Sequence, residues 1–156
     1  MVIVLLSCSG DPRKGQWLSN QIIVHQHDLV AIYNRWDIGF SDTTSFRVLS
    51  EKDDSVQLIA KRFMQVLDTL SPIDGDSSFI EASQVWLRQV NDSLLPLYQR
   101  KTALFKMMFV RNAPSDQSEF REINIKMETV KSRLNQQMEE DQKEFSEDYN
   151  LTFSTP

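Results

Sequence analysis

The sequence predicts an all-α protein, an antiparallel four-helix bundle, and three observations support this fold class. Four stretches place apolar residues three and four positions apart, which is the spacing of one face of a helix. Helix breakers are scarce, with four glycines and five prolines among 156 residues. Hydrophobic residues make up 40% of the chain, which is enough for one core, so we expect one folded domain.

The first two helical segments are the shorter pair. Segment A spans residues 16–36 and segment B spans residues 55–70. Asp54, with Gln57 three positions later, resembles a capping box at the start of segment B. Pro72 ends that segment, because proline disfavours the helical conformation in the residue before it. The apolar stripes contain Ile22, Leu29, Ile32 and Trp36 in segment A, and Val56, Ile59, Phe63, Val66 and Leu70 in segment B.

The last two segments are longer. Segment C spans residues 79–111, with Ser78 and Glu81 as its predicted capping box, and segment D spans residues 117–149. Pro96 lies inside segment C and predicts a kink or a break there, because proline removes a helical hydrogen bond. Each stripe needs a neighbouring helix to cover it, and short turns between B and C and between C and D favour antiparallel neighbours.

An apolar group near the end of segment C is the candidate contact site for a protein partner. Segments C and D would reach about 45–50 Å and segments A and B about 25–32 Å, so the ends of C and D would project. Methionine adapts to varied apolar partners, and exposed apolar patches often mark contact sites. The alternative is that the long A–B connection covers this group as part of the core. The group consists of Phe105, Met107, Met108 and Phe109.

The N-terminus carries a possible lipidation signal. Residues 2–6 are apolar, and Leu5-Leu6-Ser7-Cys8 resembles a bacterial lipobox, in which the cysteine thiol is lipidated after the leader is cut. Seven residues precede Cys8 and none is basic, so a complete leader requires an upstream start. The alternative is a short buried β-strand. We therefore expect a leader remnant and tether over residues 1–15 and the helical bundle over residues 16–156, with Cys8 as the membrane anchor.

The sequence shows no pattern of catalytic residues. His25 and His27 are the only histidines, and residues two apart on a helix point in different directions, so no metal site is expected. No phosphate-binding loop, dinucleotide fingerprint or nucleophile elbow occurs, so we expect neither a cofactor nor an enzyme. The net charge of −5 disfavours nucleic acid, and the basic run around Arg100 and Lys101 is interpreted as surface charge.

Two stretches resemble small hypothetical lipoproteins of the Bacteroidetes and Leptospira type, which pair a lipobox with a helical bundle. The first is Gly75-Asp76, which is similar to a turn that leads into the third helix of that family. The second is the final helix, where Gln142, Phe145 and Asn150 match the family pattern. Asp141 and Tyr149 depart from it. The resemblance covers about half of the chain and implies the fold and an envelope location, but no activity.

These observations predict a non-enzymatic, lipid-anchored helical-bundle protein of the bacterial cell envelope, with a binding or structural role. The alternative is a cytoplasmic helical adaptor for protein interactions, whose first strand or helix belongs to the mature fold. An in-frame upstream start followed by Lys or Arg codons would favour the first.

Overall fold

The computed structural model describes residues 10–41, 46–111 and 114–151, and it is all-helical there. Within those ranges it contains four helical segments, which we call rods, and no β-strand, and this confirms the all-α prediction. A π-helical turn joins two of the helices into a single rod. The helices are α1 (Pro12–Ser41), α2 (Phe46–Thr69), α3 (Ser78–Gln89), α4 (Leu95–Arg111) and α5 (Pro114–Asp148), and the π turn spans Val90–Leu94.

Helices α1 and α2 both begin earlier than their sequence patterns indicated. Proline suits the first turn of α1 because the N–H that it lacks would have no helical partner there. The carboxylate of Asp11 accepts a hydrogen bond from the N–H of Arg13 at 2.9 Å and caps this helix start. Helix α2 begins at Phe46, so the capping box predicted at Asp54 and Gln57 is wrong. Those two residues lie inside the helix.

The turn between α2 and α3 is a tight reversal. Asp74 and Gly75 both have positive φ, at 53° and 87°, and Ile73 and Asp76 exchange backbone hydrogen bonds across them. The carboxylate of Asp76 then accepts the N–H of Ser78 at 2.8 Å. The start of α3 is thus capped by Asp76, which lies two residues before the first residue of the box predicted at Ser78 and Glu81.

The helix distortion predicted at Pro96 lies one turn before it. The N–H of Leu95 donates to the carbonyl of Val90, five residues back, which is the bonding pattern of a π turn. Proline has no N–H and its ring would collide with the carbonyl of Asp92 in a regular helix. Because the wider turn moves that carbonyl, the rod continues through Pro96 as α4.

The core lies between α1 and α2 on one side and α3, the π turn, α4 and α5 on the other. The residues that fill it are mostly large and apolar, so burial of these stripes is the main stabilising term. The largest fully buried side chains include Trp36, Tyr98, Phe63, Leu18, Ile22, Leu29, Leu67, Leu87 and Leu104.

One end of the molecule, the aromatic end, is formed by Phe79, Phe145 and Tyr149. The ring centroids of Phe79 and Phe145 are 4.5 Å apart, and those of Phe145 and Tyr149 are 4.6 Å apart. The start of the described chain packs here, because the N–H of Gly10 donates to the carbonyl of Asp148 at 3.2 Å. A Cβ at Gly15 would lie 2.7 Å from the Cβ of Tyr149, so only glycine permits this approach.

Candidate functional site: the Asp37 cluster and its cavity

Four polar side chains meet between α1, α4 and α5, and we call them the Asp37 cluster: Asp37, Tyr98, Lys101 and Lys131. The hydroxyl of Tyr98 donates to Oδ2 of Asp37 at 2.6 Å. The ammonium of Lys101 donates to Oδ1 at 3.3 Å, and that of Lys131 donates to Oδ2. Three helices are therefore joined at one carboxylate, with both of its oxygens used.

Aromatic rings lie beside both ammonium groups of the cluster. Nζ of Lys101 lies 4.2 Å from the ring centroid of Phe40 and 5.7 Å from that of Phe120. Nζ of Lys131 lies 5.5 Å from the ring centroid of Tyr98. Ring faces attract cations, most strongly where water is excluded. Lys101 is 7% exposed, so its charge depends on Asp37 and on these rings.

The pKa values in the cluster follow from burial and from these contacts. Burial alone would raise the pKa of Asp37, but the hydrogen bonds from Lys131 and Tyr98 hold that pKa below its usual value. Burial lowers the pKa of Lys101, against the opposing attraction of Asp37. Burial, followed by the hydrogen bond to Asp37, raises the pKa of Tyr98. Asp37 is thus a weak base and Tyr98 a weak acid, which suits structural pairing better than proton transfer.

A small cavity of about 50 Å³ adjoins the cluster between α1, α5 and the π turn. Its walls are mostly apolar and include Val30, Trp86 and Leu134, while Tyr33 and Lys131 supply polar groups. The hydroxyl of Tyr33 is buried and has no hydrogen-bond partner among the described residues. The space suits water or a small group, because drug-sized ligands occupy about 300–1,000 Å³.

This site was not predicted from the sequence, and one of its members was predicted to lie elsewhere. Lys101 was interpreted as a surface charge, which is wrong, because it is buried. A signal was present: Lys101 follows Leu94 and Tyr98 and precedes Leu104 at helical spacing, so it shares their buried face. Asp37 lies just past the predicted end of segment A, where no helix face was assigned.

The residues predicted to contact a partner pack partly within the chain. The ring of Phe105 is half-buried and lies 5.5 Å from the ring of Phe40 and 6.1 Å from that of Phe120, centroid to centroid. Met107 is half-buried against the core, and Met108 is also half-buried. Phe109 lies on α4, and its side chain is outside the described part. Contact of this group with a partner stays a prediction.

Cys8, the predicted lipidation site, lies outside the described residues, which begin at Gly10. The two histidines lie in different environments. The ring of His25 stacks on Phe63 at 5.5 Å between centroids, and His27 is exposed. In residues 10–41, 46–111 and 114–151, no three His, Cys, Asp or Glu side chains are grouped to hold a metal. Over the same ranges, no helix combines the length and apolar character needed to cross a bilayer.

No protein-family model matches this chain, and no curated protein or solved structure matches it significantly. The resemblance to small bacterial lipoproteins therefore rests on the sequence positions quoted above.

Proposed function

We propose that this chain is a non-enzymatic, lipid-anchored protein of the bacterial cell envelope, with a binding or structural role carried by an antiparallel four-helix bundle. The observation that carries the proposal is the sequence Leu5-Leu6-Ser7-Cys8, which resembles a lipobox. Gly10, two residues after Cys8, is hydrogen-bonded to the carbonyl of Asp148 at the end of α5. Cys8 is two residues before Gly10, so a lipid on its thiol would lie within about 7 Å of this end along the chain.

Contacts between α5 and the α3–α4 rod support the antiparallel arrangement. Phe79 at the start of α3 stacks on Phe145 near the end of α5. Phe105 near the end of α4 contacts Phe120 near the start of α5. Residues later in the α3–α4 rod therefore pair with residues earlier in α5, as in an up-and-down bundle.

Contacts between α1 and α2 also support an antiparallel arrangement of these two helices. His25 stacks on Phe63, and Gly39, further along α1, lies beside Leu49, which is earlier in α2. With a helical rise of about 1.5 Å per residue, Phe40 lies about 45 Å from the Gly10 end. An anchor at Cys8 would thus place the Phe105 and Met107 region at the end far from the bilayer, where a partner in the envelope would reach it.

The chemistry of the Asp37 cluster supports a non-enzymatic role. Both carboxylate oxygens of Asp37 are engaged by groups of the same chain, and the lowered pKa of Asp37 makes it a poor proton acceptor. The adjoining cavity of about 50 Å³ is too small for most organic substrates. The cluster therefore acts as a polar link between three helices.

The test is to express the gene with its upstream region in a bacterium fed a clickable palmitate analogue. We expect the wild-type protein to be labelled and to sediment with membranes. The Cys8→Ala variant should be unlabelled and should remain in the supernatant. Ser9→Ala is the matched control, because it changes a neighbouring residue and leaves the thiol. An unlabelled wild-type protein in the cytosolic fraction contradicts the anchor.

That last outcome would support the second candidate, a cytoplasmic helical adaptor. Gly10 and the start of α1 lie in the stretch that was expected to be a loose tether, yet they pack against Tyr149. This observation favours the adaptor. An N-terminus that belongs to the fold is what an adaptor would have. The two candidates differ in location and share the helical bundle.

A further inference from the structure

We propose that a groove at the Gly10 end of the molecule lies against zwitterionic phospholipid when the chain is anchored at Cys8. We call it the Trp17 groove, and it forms where the start of α1 meets the turn between α2 and α3. The proposal rests on the lipid anchor proposed above, and it names the surface that this anchor would bring to the bilayer. The groove is lined by Arg13, Lys14, Trp17, Pro72, Ile73 and Asp74.

A series of contacts places the Trp17 groove beside the anchor. The N–H of Gly10 donates to the carbonyl of Asp148, and a Cβ on Gly10 would collide with the ring of Tyr149. The hydroxyl of Tyr149 donates to the carbonyl of Ile73 at 3.3 Å, and Ile73 lines the groove. Gly10 and the groove are therefore both neighbours of one tyrosine side chain. Since two residues span at most about 7 Å, Cys8 reaches the same end of the molecule.

Trp17 is a large apolar residue that the groove leaves in contact with water. Its side chain is 54% exposed, and Pro72 is exposed on the other side of the groove. Indole rings favour the boundary between lipid and water, because the apolar body leaves water while the N–H keeps a polar partner. A bilayer surface held beside Trp17 would thus cover apolar area that the chain itself leaves open.

The charges at this end favour a zwitterionic surface over an anionic one. Lys14 is paired with Asp74 at 2.7 Å, so these two charges balance within the chain. Arg13 is exposed and lies four residues before Trp17 on the same helix face, so its guanidinium can meet a lipid phosphate where the indole meets the interface. An anionic bilayer would repel the exposed acidic residues at the end of α5, which are Glu144, Glu147 and Asp148.

The Trp17 groove is a contact that the anchor makes effective. One indole and one guanidinium give little affinity for a bilayer alone, but a tether raises their effective concentration at the surface. We therefore expect the contact in the anchored chain and not in the free chain. The contact would fix the orientation of the bundle, with the Gly10 end on the lipid and the Phe105 end away from it.

The test attaches the anchor chemically, because Cys8 is the only cysteine of the chain. The full chain is coupled through Cys8 to phosphatidylcholine vesicles that contain a maleimide-bearing lipid and a brominated phosphatidylcholine, which quenches nearby tryptophan. Trp36 and Trp86 are buried, so quenching reports Trp17. We expect emission to fall by up to about one third, because Trp17 is one of three tryptophans. Unchanged emission overturns the proposal.

The matched control moves the reporter away from the groove. Quenching should disappear in Trp17→Phe, and adding Ile125→Trp to this variant should not restore it. Position 125 is 64% exposed but lies about 35 Å from Asp148 along α5. Equal quenching at positions 17 and 125 would mean that the anchored chain has no fixed contact surface, which would overturn the proposal.

A charge variant tests the part played by Arg13. Arg13→Glu should lower the quenching at least about twofold, because a carboxylate is repelled by the lipid phosphate. Arg133→Glu makes the same change of charge at an exposed position of α5 outside the groove, and it should keep the wild-type quenching. Circular dichroism of all variants should show unchanged helix content, since every substituted residue is exposed. Wild-type quenching in Arg13→Glu would overturn the contact between Arg13 and phosphate.

The vesicle experiment and the palmitate experiment fail separately. An unlabelled wild-type protein in cells overturns the anchor, whatever the chemically coupled chain does on vesicles. A protein that is labelled in cells but not quenched on vesicles keeps the anchor and overturns the Trp17 groove as its lipid contact.

Discussion

The aromatic end joins α1, α3 and α5, and the Asp37 cluster joins α1, α4 and α5, by different physical means. At the aromatic end, Phe145 stacks on Phe79 and packs at a tilt against Tyr149, and Gly15 is needed because there is no room for a methyl group. In the Asp37 cluster, one carboxylate holds two ammonium groups and a hydroxyl. The first region depends on shape, and the second on charge balance. Substitutions that change volume should therefore affect one, and those that change charge the other.

The largest expected effect is that of Asp37→Ala. This change leaves the buried ammonium group of Lys101 without its carboxylate partner, while Lys131 keeps Glu128 at 3.3 Å. An uncompensated buried charge costs about 3–5 kcal/mol, so we expect a loss of that order in the free energy of unfolding, measured by urea denaturation. Glu119→Gln is the control: it breaks the exposed ion pair with Arg100 and should cost less than about 1 kcal/mol. Equal losses would contradict the difference between the two sites.

The next largest effect is expected for Tyr98→Phe. Its hydroxyl donates to the charged carboxylate of Asp37 at 2.6 Å, and a hydrogen bond to a charged group contributes about 1.5–3 kcal/mol. Tyr33→Phe is the matched control, because the buried hydroxyl of Tyr33 has no partner among the described residues. Its removal should leave the unfolding free energy unchanged or raise it by up to about 1 kcal/mol. Thermal and urea unfolding of both variants measure this difference in unfolding free energy. A larger loss of unfolding free energy for Tyr33→Phe than for Tyr98→Phe would contradict the prediction.

At the aromatic end, Gly15→Ala tests shape. A helical Gly→Ala change usually stabilises by about 0.5–1 kcal/mol, but here the new Cβ would lie 2.7 Å from the Cβ of Tyr149. We expect a net loss of about 1–2 kcal/mol, because helix α1 must move. Gly39→Ala is the control: its new Cβ would lie 3.0 Å from Cδ2 of Leu49, which is the end of a flexible side chain. A thermal melt should show lower stability for the first variant only.

The smallest effect is expected from pH. The pKa of Asp37 is lowered in the folded state, so its contribution is complete above the unfolded value, near 3.8, and is lost as pH falls through the folded pKa. The loss of unfolding free energy between pH 6 and pH 3 should therefore be smaller in Asp37→Asn than in the wild type. Phe145→Leu, at the aromatic end, should keep the wild-type pH dependence. If the Asp37→Asn and wild-type curves are parallel, Asp37 does not contribute in this way.

The sequence predicted the all-α class and much of the core, because stripes of apolar residues report helix faces directly. Phe63, Met127 and Leu134 were predicted on buried faces, and the structure buries all three. Helix starts were less predictable, because a capping pattern such as Asp54 with Gln57 also occurs inside helices. In the earlier turns of α2, Leu49 is buried beside Gly39 of α1, a contact between helices that the capping pattern does not contain.

The Asp37 cluster could be predicted only in part. Lys101 lies on a stripe that also contains Leu94 and Leu104, so its burial was readable from spacing. Its partner Asp37 is 64 positions away along the chain. No periodicity links residues on different helices, because their meeting depends on how the helices pack. The same holds for Lys131, which reaches Asp37 from α5.

The π turn at Val90–Leu94 has a consequence for how the chain tolerates changes in length. This turn contains one residue more than a regular helical turn would need. Removing one residue there would leave Tyr98 and Lys101 facing Asp37, provided that Pro96 is also replaced, because regular winding would bring the proline ring against the carbonyl four residues before it. A deletion elsewhere in α3 or α4 would rotate every later side chain by about 100°, which would turn the lysine outward. The turn thus gives the α3–α4 rod a place where its length can change by one residue while the helix keeps its phase.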